Sequence, residues 1–341
     1  MTGMIRGQRK AVQLDGEALV RATFLEQRPG AVPRVFEPAR DGVDLAGWAA
    51  GHREDIDREL EHFGAALFRG FGELTPAGFE AAAAGIVNDL YGDYGDLPRE
   101  SASDKVFSST PYPANLPIHF HNESSHMARW PMRICFYCAV AAPVGGETPL
   151  LDCRALCQVL DAGVVAELDA KGLTYVRNFG EGIDVAWQDF FRTGDRDEVE
   201  RSCTGSGATC EWLPDGNLRI HQAARAVRTH PSTGERVFFN QILLHHPAAL
   251  PDETRSALRS LYDPDSLPRN VTFGDGSPIP DTVVEHIMAV YDEHAIRFKW
   301  QAGDIIALDN MLCSHGRSVF SGPRKILVAM GRIVDAAALS R

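Results

Sequence analysis

The sequence predicts a mainly β fold with surrounding helices, most simply a double-stranded β-helix (a cupin-like jelly roll) with a lid insertion. Many short runs rich in β-branched or aromatic residues are bounded by turn residues, which favours a barrel or sandwich of short strands. Segments with helical start signals alternate with these runs. No G-x-G-x-x-G or G-x-x-x-x-G-K sequence occurs in the 341 residues, so neither common nucleotide-binding fold is supported. Because a jelly roll encloses a ligand cavity between two sheets, it is the architecture that we expect.

The chain is expected to form one domain with an extension and an insertion. No internal repeat, low-complexity segment or Pro/Gly-rich linker divides it. We therefore expect a jelly-roll domain over residues 60–336 and an N-terminal extension over residues 1–59 that packs on this core. Residues 178–221 are rich in Gly and charge, so we expect a loop-and-helix insertion there that covers the mouth of the cavity.

Helix signals are clearest at Thr75 and Pro76, where a capping residue and a first-turn proline precede strong helix formers up to Leu90. Further helices are predicted at residues 152–160, 164–171, 252–262 and 281–294. Strands are predicted at residues 134–140, 173–177, 226–230, 236–240, 296–300, 304–308 and 325–334. The two kinds of segment alternate along the chain, as helices packed outside a β core require.

The charge and hydropathy patterns argue against nucleic acid and membrane partners. The chain has 46 acidic and 34 basic residues, a formal charge of −12, and no Lys/Arg cluster that would neutralise a phosphate backbone. No apolar stretch approaches the ~18 residues of a membrane span, and no export signal is recognisable. We expect a cytoplasmic protein, with homo-oligomer formation left open.

Seven cysteines without an export signal indicate reduced thiols and no disulfide framework. Cys135 and Cys138, together with Cys153 and Cys157, could be imagined as a zinc site. Residues three apart on a strand face opposite sides, so buried free thiols are the expectation for Cys135 and Cys138.

Two histidines and a glutamate suggest a metal site. His121 and Glu123 are two residues apart, so on a strand their side chains share a face, and a second strand could bring His315 across to them. Two imidazoles and one carboxylate on one side of a metal, with the opposite side open, form the facial triad of non-heme iron oxygenases. His119 shares the face of His121, so a rival pairing stays open, whereas His126 lies on the other face and is expected to be structural.

Further motifs follow in a set order over roughly residues 60–336. They are His121-Asn122-Glu123, Gly145-Gly146-Glu147-Thr148-Pro149 with Asp152, Arg228-Thr229-His230-Pro231, Phe239-Asn240-Gln241, Asp309-Asn310, His315 and Gly322-Pro323-Arg324. This series resembles the taurine-dioxygenase (TauD/TfdA) superfamily of Fe(II)/2-oxoglutarate-dependent oxygenases. Asn178-Phe179-Gly180 and Ala186-Trp187-Gln188 are similar to its syringomycin-biosynthesis hydroxylase branch, which acts on amino acids, free or carried on a peptide synthetase.

The resemblance implies Fe(II), 2-oxoglutarate and O2 as cofactors. It makes His121, Glu123 and His315 the metal ligands, with Thr148 and Arg324 holding the distal carboxylate of 2-oxoglutarate. The residue types suit these roles, because arginine offers a planar, permanently charged donor fork for a carboxylate and threonine adds a hydroxyl donor.

The resemblance also implies a dioxygenase that oxidises, most simply hydroxylates, an unactivated C–H bond in specialised metabolism. Its small-molecule substrate would be an amino acid or a derivative of one, free or tethered to a peptidyl carrier protein. Desaturation, epoxidation or cyclisation stay open, as do a non-catalytic jelly-roll binding protein and a cupin-like metalloenzyme that uses no 2-oxoglutarate. The second arginine that is common in the superfamily falls on Val328, so Arg192, Arg317, Arg332 and Asn240 are the candidates for substrate binding.

Overall fold

The computed structural model describes residues 19–25, 32–92, 101–109, 112–180 and 185–340. Residues 1–18 and 26–31 of the expected extension, and residues 181–184 of the expected lid, lie outside these ranges. The strands are β1 (Val20–Phe24), β2 (Arg34–Pro38), β3 (Ala65–Phe68), β4 (Ser101–Ser103), β5 (Val106–Ser108), β6 (Ile118–His121), β7 (Arg129–Val140), β8 (Val144–Gly145), β9 (Leu150–Asp152), β10 (Leu173–Phe179), β11 (Ala208–Trp212), β12 (Leu218–Ala224), β13 (Val227–Thr229), β14 (Arg236–Phe238), β15 (Arg269–Phe273), β16 (Ile305–Asp309), β17 (Cys313–Arg317), β18 (Phe320–Ser321) and β19 (Lys325–Asp335).

The helices lie mainly outside the sheets and in the long connection between β9 and β16. They are α1 (Leu45–Gly51), α2 (Arg53–Phe63), α3 (Pro76–Ile86), α4 (Cys153–Val159), α5 (Ala162–Lys171), α6 (Trp187–Phe191), α7 (Arg196–Gly205), α8 (Ile242–His245), α9 (Asp252–Leu261) and α10 (Asp281–His294). Within the described ranges, none of them combines the length and the apolar character that crossing a membrane requires.

The five predicted helices are confirmed as α3, α4, α5, α9 and α10, and side-chain caps explain the starts of the first three. The Thr75 side chain accepts a hydrogen bond from Gly78 N–H, and Pro76 occupies the first turn of α3. This helix ends at Ile86, short of the predicted Leu90, because Val87 takes an extended conformation.

The main sheet has the strand order β1-β2-β3-β16-β7-β19-β5-β4. Its centre is the antiparallel pair of the long strands β7 and β19, which are buried over most of their length. Alternate side chains of β7 enter two different cores, with Cys135 and Tyr137 on the side of α1 to α3 and Phe136 and Cys138 on the other. Cys135 and Cys138 therefore face opposite sides, as predicted.

A smaller sheet of β6, β17 and β9 faces the second of these cores. Phe136 and Ile326 of the main sheet share one buried cluster with Leu150 and Cys313 of the smaller sheet. Two sheets packed face to face around this cluster, with helices outside, confirm the predicted fold class.

The predicted strand over residues 296–300 is wrong. Ile296 makes an isolated bridge with Leu150, and the residues after it pair with no strand in the described part of the chain. Phe298 and Trp300 are buried in the cluster between the two sheets. The apolar pattern therefore reflects side-chain burial in an irregular segment and not backbone pairing.

The expected loop-and-helix insertion over residues 178–221 also contains strands. After α6 and α7, β11 and β12 form an antiparallel hairpin that continues to Ala224 and adds to the sheet β11-β12-β10-β15. Trp212 and Leu218 of this hairpin pack with Trp187 in a separate small core. Its strands are partly exposed along much of their length, so a composition rich in Gly and charge conceals them.

Candidate metal and co-substrate site

His121, Glu123 and His315 come together where β6 runs beside β17. The strands pair with His315 opposite His121, so the two imidazoles meet across the sheet. One ligand-type atom from each of the three residues lies within 4.8 Å of the others. His121 Nε2 is 3.9 Å from Glu123 Oε2, and the ring centroids of His121 and His315 are 4.4 Å apart. Two nitrogen donors and one carboxylate oxygen around one point form a donor set that fits Fe(II).

Glu123 reaches this point by a different route from the one predicted. The strand ends at His121 and does not include Glu123, and Ser124 then takes a left-handed φ of 55°. Asn310 holds the turn: its Oδ1 accepts from Glu123 N–H at 2.8 Å, and its Nδ2 donates to Glu123 O and Pro131 O, both at 2.9 Å. A fully buried side-chain amide thus positions the carboxylate residue.

Buried charges fix the turn that carries Asn310. Asp309 is paired with Arg133 and lies 3.1 Å from His230 Nε2, while its second oxygen accepts two backbone N–H groups of the turn. Burial acts to raise the pKa of Asp309, but the Arg133 charge and the His230 hydrogen bond outweigh it and lower this pKa. The carboxylate therefore stays ionised and keeps the turn in place.

A backbone hydrogen bond sets the tautomer of His121. His121 Nδ1 lies 2.9 Å from His119 O, so Nδ1 carries the N–H, and Nε2 is the ring nitrogen on the side of Glu123. Among the described residues, His119 does not join the group of ligand-type atoms, and burial lowers its pKa. His126 packs with its ring centroid 5.1 Å from that of His245, as expected for a structural histidine.

Thr148 and Arg324 line the same cavity as the three ligand-type residues, a space of about 60 Å³. Thr148 Oγ1 accepts from Trp300 Nε1 at 3.2 Å, which leaves its own hydrogen to donate. Arg324 Nε donates to Gly146 O at 3.0 Å. A Cβ on Gly146 would lie 3.0 Å from Arg324 Cδ, so the glycine is needed where the arginine crosses it. The remaining lining residues are Ser109, Ile118, His121, Glu123, Phe136, His315, Gly316, Arg317 and Ile326.

Arg324 is a partly buried cation that pairs with no carboxylate in the described part of the chain. Burial, and then the nearby charge of Arg317, lower the pKa of Arg324 to about 10, so its guanidinium is charged at neutral pH. Such a charge is costly without a counter-ion. The cavity therefore suits an anionic ligand that comes from outside the chain.

Of the four residues predicted to bind substrate, only Arg317 lines this cavity. The structure does not bring the other two arginines to it. Arg332 is paired with Asp57 and Asn88, and Arg192 caps the end of α6 in the insertion.

Asn240 does not line the cavity, and it bonds to the backbone next to the cavity residues His121 and Glu123. Its carbonyl accepts from Asn122 N–H at 3.3 Å, and its Oδ1 accepts from Ile242 N–H at 3.1 Å. The neighbouring Gln241 donates from Nε2 to Asn122 O at 3.0 Å. The Asn240 backbone and the Gln241 side chain thus hold the turn that follows His121, while the Asn240 side chain bonds to its own neighbourhood.

Sequence reasoning alone misses Trp300 and the role of Asn310. The Asp309-Asn310 pair is visible as a motif, but its spacing does not show that the amide bonds to the backbone of Glu123. Trp300 carries no signal beyond the apolar run that wrongly predicts a strand.

A larger surface groove of about 830 Å³ lies elsewhere. Its charged residues neutralise one another, since Arg34 pairs with Glu59 and Arg154 with Glu235, each at 3.2 Å. The smaller cavity is the better functional candidate because it holds the unneutralised arginine and the three ligand-type side chains.

Comparisons with known proteins cover most of the chain. The family profile described as taurine catabolism dioxygenase TauD, TfdA family, matches residues 26–330. The dapdiamide synthesis protein DdaC of Enterobacter agglomerans is 38% identical over 276 residues, 81% of this chain and 84% of that protein. A clavaminate synthase-like protein of Arabidopsis thaliana is 29% identical over 287 residues, 81% and 83% of the two chains. The structure of PvcB from Pseudomonas aeruginosa has a TM-score of 0.54 at 14% identity, covers 95% of this chain and 94% of its own, and supports the fold alone.

Proposed function

The chain belongs to the TauD/TfdA dioxygenase family, and from this premise we propose that it hydroxylates an unactivated C–H bond of an amino acid or a compound derived from one. Its cofactors are Fe(II), 2-oxoglutarate and O2. The observation that carries the proposal is that two imidazoles, one carboxylate and an arginine with no carboxylate partner among the described residues line one cavity.

His121, Glu123 and His315 would hold the iron. Their donor atoms come from one side, so positions opposite them stay open for other ligands. When bound, iron with 2-oxoglutarate and O2 supplies the oxidant: the 2-oxo acid loses CO2 to become succinate, which takes one oxygen atom, and the substrate C–H becomes C–OH with the other. The chain contributes the fixed ligand set and, through Asn310, the placement of Glu123.

Arg324 and Thr148 would bind the distal carboxylate of 2-oxoglutarate. Arg324 supplies a charge that the described part of the chain leaves unneutralised, and Thr148 supplies a hydroxyl whose oxygen is already engaged by Trp300. The same pair would orient the 2-oxo acid so that its other end faces the iron ligands. Apolar side chains of the lining, Phe136 and Ile326, would exclude water from this space.

The substrate is a small molecule, free or tethered to a peptidyl carrier protein, and we place the reaction in specialised metabolism. The 38% identical relative from Enterobacter agglomerans is named for dapdiamide synthesis, which supports this placement.

The test is an anaerobic visible spectrum of the protein with Fe(II) and 2-oxoglutarate. Chelation of the 2-oxo acid to iron is expected to give a weak metal-to-ligand charge-transfer band that needs both additions. His121→Ala should abolish it by removing an iron ligand, and Arg324→Ala should raise the 2-oxoglutarate concentration that it requires.

Matched controls separate the site from general effects of substitution. His294→Ala and Arg201→Ala remove the same residue types at exposed helix positions and should leave the band as in wild type. A folded, iron-loaded wild type without a band would refute the proposal. A band followed by succinate release on addition of one of a set of amino acids would extend it to turnover.

A further inference from the structure

Arg317 stands two residues beyond His315 on β17 and lines the same cavity. We infer that Arg317 is a positioning residue that fixes residues 112–116 and, through them, holds Ile118 in place as a wall of the co-substrate cavity, and that it does not serve as a substrate-binding cation. The inference rests on the proposed function for the identity of the cavity, while the contacts that carry it are independent of any ligand.

The contacts of Arg317 run to one short segment. Its Nη1 donates to Tyr112 O at 2.9 Å, and its Nη2 donates to Pro113 O and Leu116 O, both at 2.6 Å. The side chain is buried, with 7% exposure, and its guanidinium lies 5.1 Å from the ring centroid of Phe320. One planar group thus joins three carbonyls of residues 112–116 to the strand that carries His315.

This segment supports one wall of the cavity, although none of residues 112–116 is among the lining residues themselves. It leads directly into Ile118, which lines the cavity and pairs with Arg317 across the strands. A Cβ on Gly316 would lie 2.7 Å from Ile118 O, so β17 and this backbone are already in close approach. The segment is also bonded to the strand after Arg317, through Phe320 N–H to Ala114 O at 3.0 Å. Loss of the Arg317 contacts would therefore let the wall beside His121 move.

The same contacts argue against a substrate-binding role. Nη2 uses both of its hydrogens on two carbonyls and Nη1 uses one on a third, whereas Nε has no hydrogen-bond partner among the described residues. Each pair of neighbouring nitrogens that could hold a carboxylate in two places includes Nη2, whose hydrogens are already used. The three carbonyls are reached from two separate nitrogens of one planar group. Lysine keeps the charge but lacks this geometry.

The experiment compares Arg317→Lys, Arg317→Gln and the control Arg201→Gln with wild type. Hydrogen–deuterium exchange of peptides covering residues 112–118 measures how firmly this segment is held, and the charge-transfer titration measures 2-oxoglutarate binding. Both Arg317 variants are expected to speed exchange in this segment by about tenfold and to raise the half-saturating 2-oxoglutarate concentration by about tenfold, because hydrogen bonds from a charged donor are lost. Arg201→Gln should change neither quantity.

The lysine variant decides between geometry and charge. If Arg317→Lys behaves as wild type in both measurements, or if exchange in residues 112–118 is unchanged in both Arg317 variants, the inference is overturned. Should the Arg317 variants fold poorly, Tyr112→Leu offers a milder test at an exposed position. It removes a ring 5.6 Å from the guanidinium and is expected to speed exchange in the same segment by about threefold.

Failure of this inference differs from failure of the proposed function. The exchange measurement on protein without iron tests the wall even if wild type gives no charge-transfer band, whereas the band alone tests the iron and 2-oxoglutarate assignment.

Discussion

Replacing Asn310 with alanine is expected to weaken both the fold and the metal site. The substitution removes three side-chain hydrogen bonds of 2.8 to 2.9 Å at a residue with no solvent exposure. At about 1 kcal/mol for each bond, and with buried backbone groups of Glu123 and Pro131 losing these partners, the free energy of unfolding should fall by about 3–5 kcal/mol. Because Glu123 is no longer held, iron affinity should also fall, by about tenfold or more.

Urea denaturation of the apoprotein measures the first quantity, and anaerobic Fe(II) titration of the folded variant measures the second. Asn178→Ala is the matched control. Asn178 is also buried and also makes three side-chain hydrogen bonds, to Asp265 O, Leu267 O and Arg219 Nε. It lies on β10, in the separate sheet β11-β12-β10-β15. This substitution should lower stability by a similar amount and leave iron affinity unchanged. If Asn310→Ala loses less than about 1 kcal/mol of stability, or loses no more iron affinity than Asn178→Ala, the positioning role is refuted.

Three further outcomes are expected. Thr148→Val should weaken 2-oxoglutarate binding by about fivefold, equivalent to one hydrogen bond, with iron affinity unchanged; an unaltered charge-transfer titration would remove Thr148 from the site. Arg324→Lys should weaken 2-oxoglutarate binding by about tenfold, less than Arg324→Ala, because a point charge replaces a donor fork. Equal losses of affinity in the two variants would show that the positive charge contributes nothing to 2-oxoglutarate binding. Burial raises the pKa of the Cys135 and Cys153 thiols to about 12, so iodoacetamide at pH 8 should spare both in the native protein, with reaction appearing only as the pH approaches 12 or the chain unfolds; labelling at pH 8, followed by mass spectrometry, would contradict this burial.

The meeting of His121 with His315 could be predicted from sequence because the two residue types need a common partner. Metal-ligand chemistry links positions that are far apart along the chain. The alternation of strand faces sets His126 aside but leaves His119 and His121 open, and the family resemblance then selects His121. The support of Glu123 could not be predicted in the same way. Asn310 bonds to backbone atoms, which every residue possesses, so no pattern in the sequence identifies its partner.

Phe298 and Trp300 show a second limit of prediction from sequence, which concerns strands. Hydrophobic periodicity reports that side chains are buried, and it does so correctly for both residues. It cannot report whether the backbone finds a neighbouring strand, because that depends on a partner edge supplied by distant parts of the chain. The hairpin of β11 and β12 shows the opposite error. Its strands are partly exposed and leave a weak apolar signal, although their backbones pair with each other.

The pairing of His121 with His315 also makes metal binding depend on the correct strand register. The two residues come from opposite halves of the sequence and stand opposite each other only in the observed register of β6 and β17. A slip of one residue would turn one imidazole to the other face of the sheet and leave the ion with an incomplete ligand set. An ion that binds the native arrangement adds its binding free energy to that arrangement alone, so iron supply would select correctly closed chains over misregistered ones.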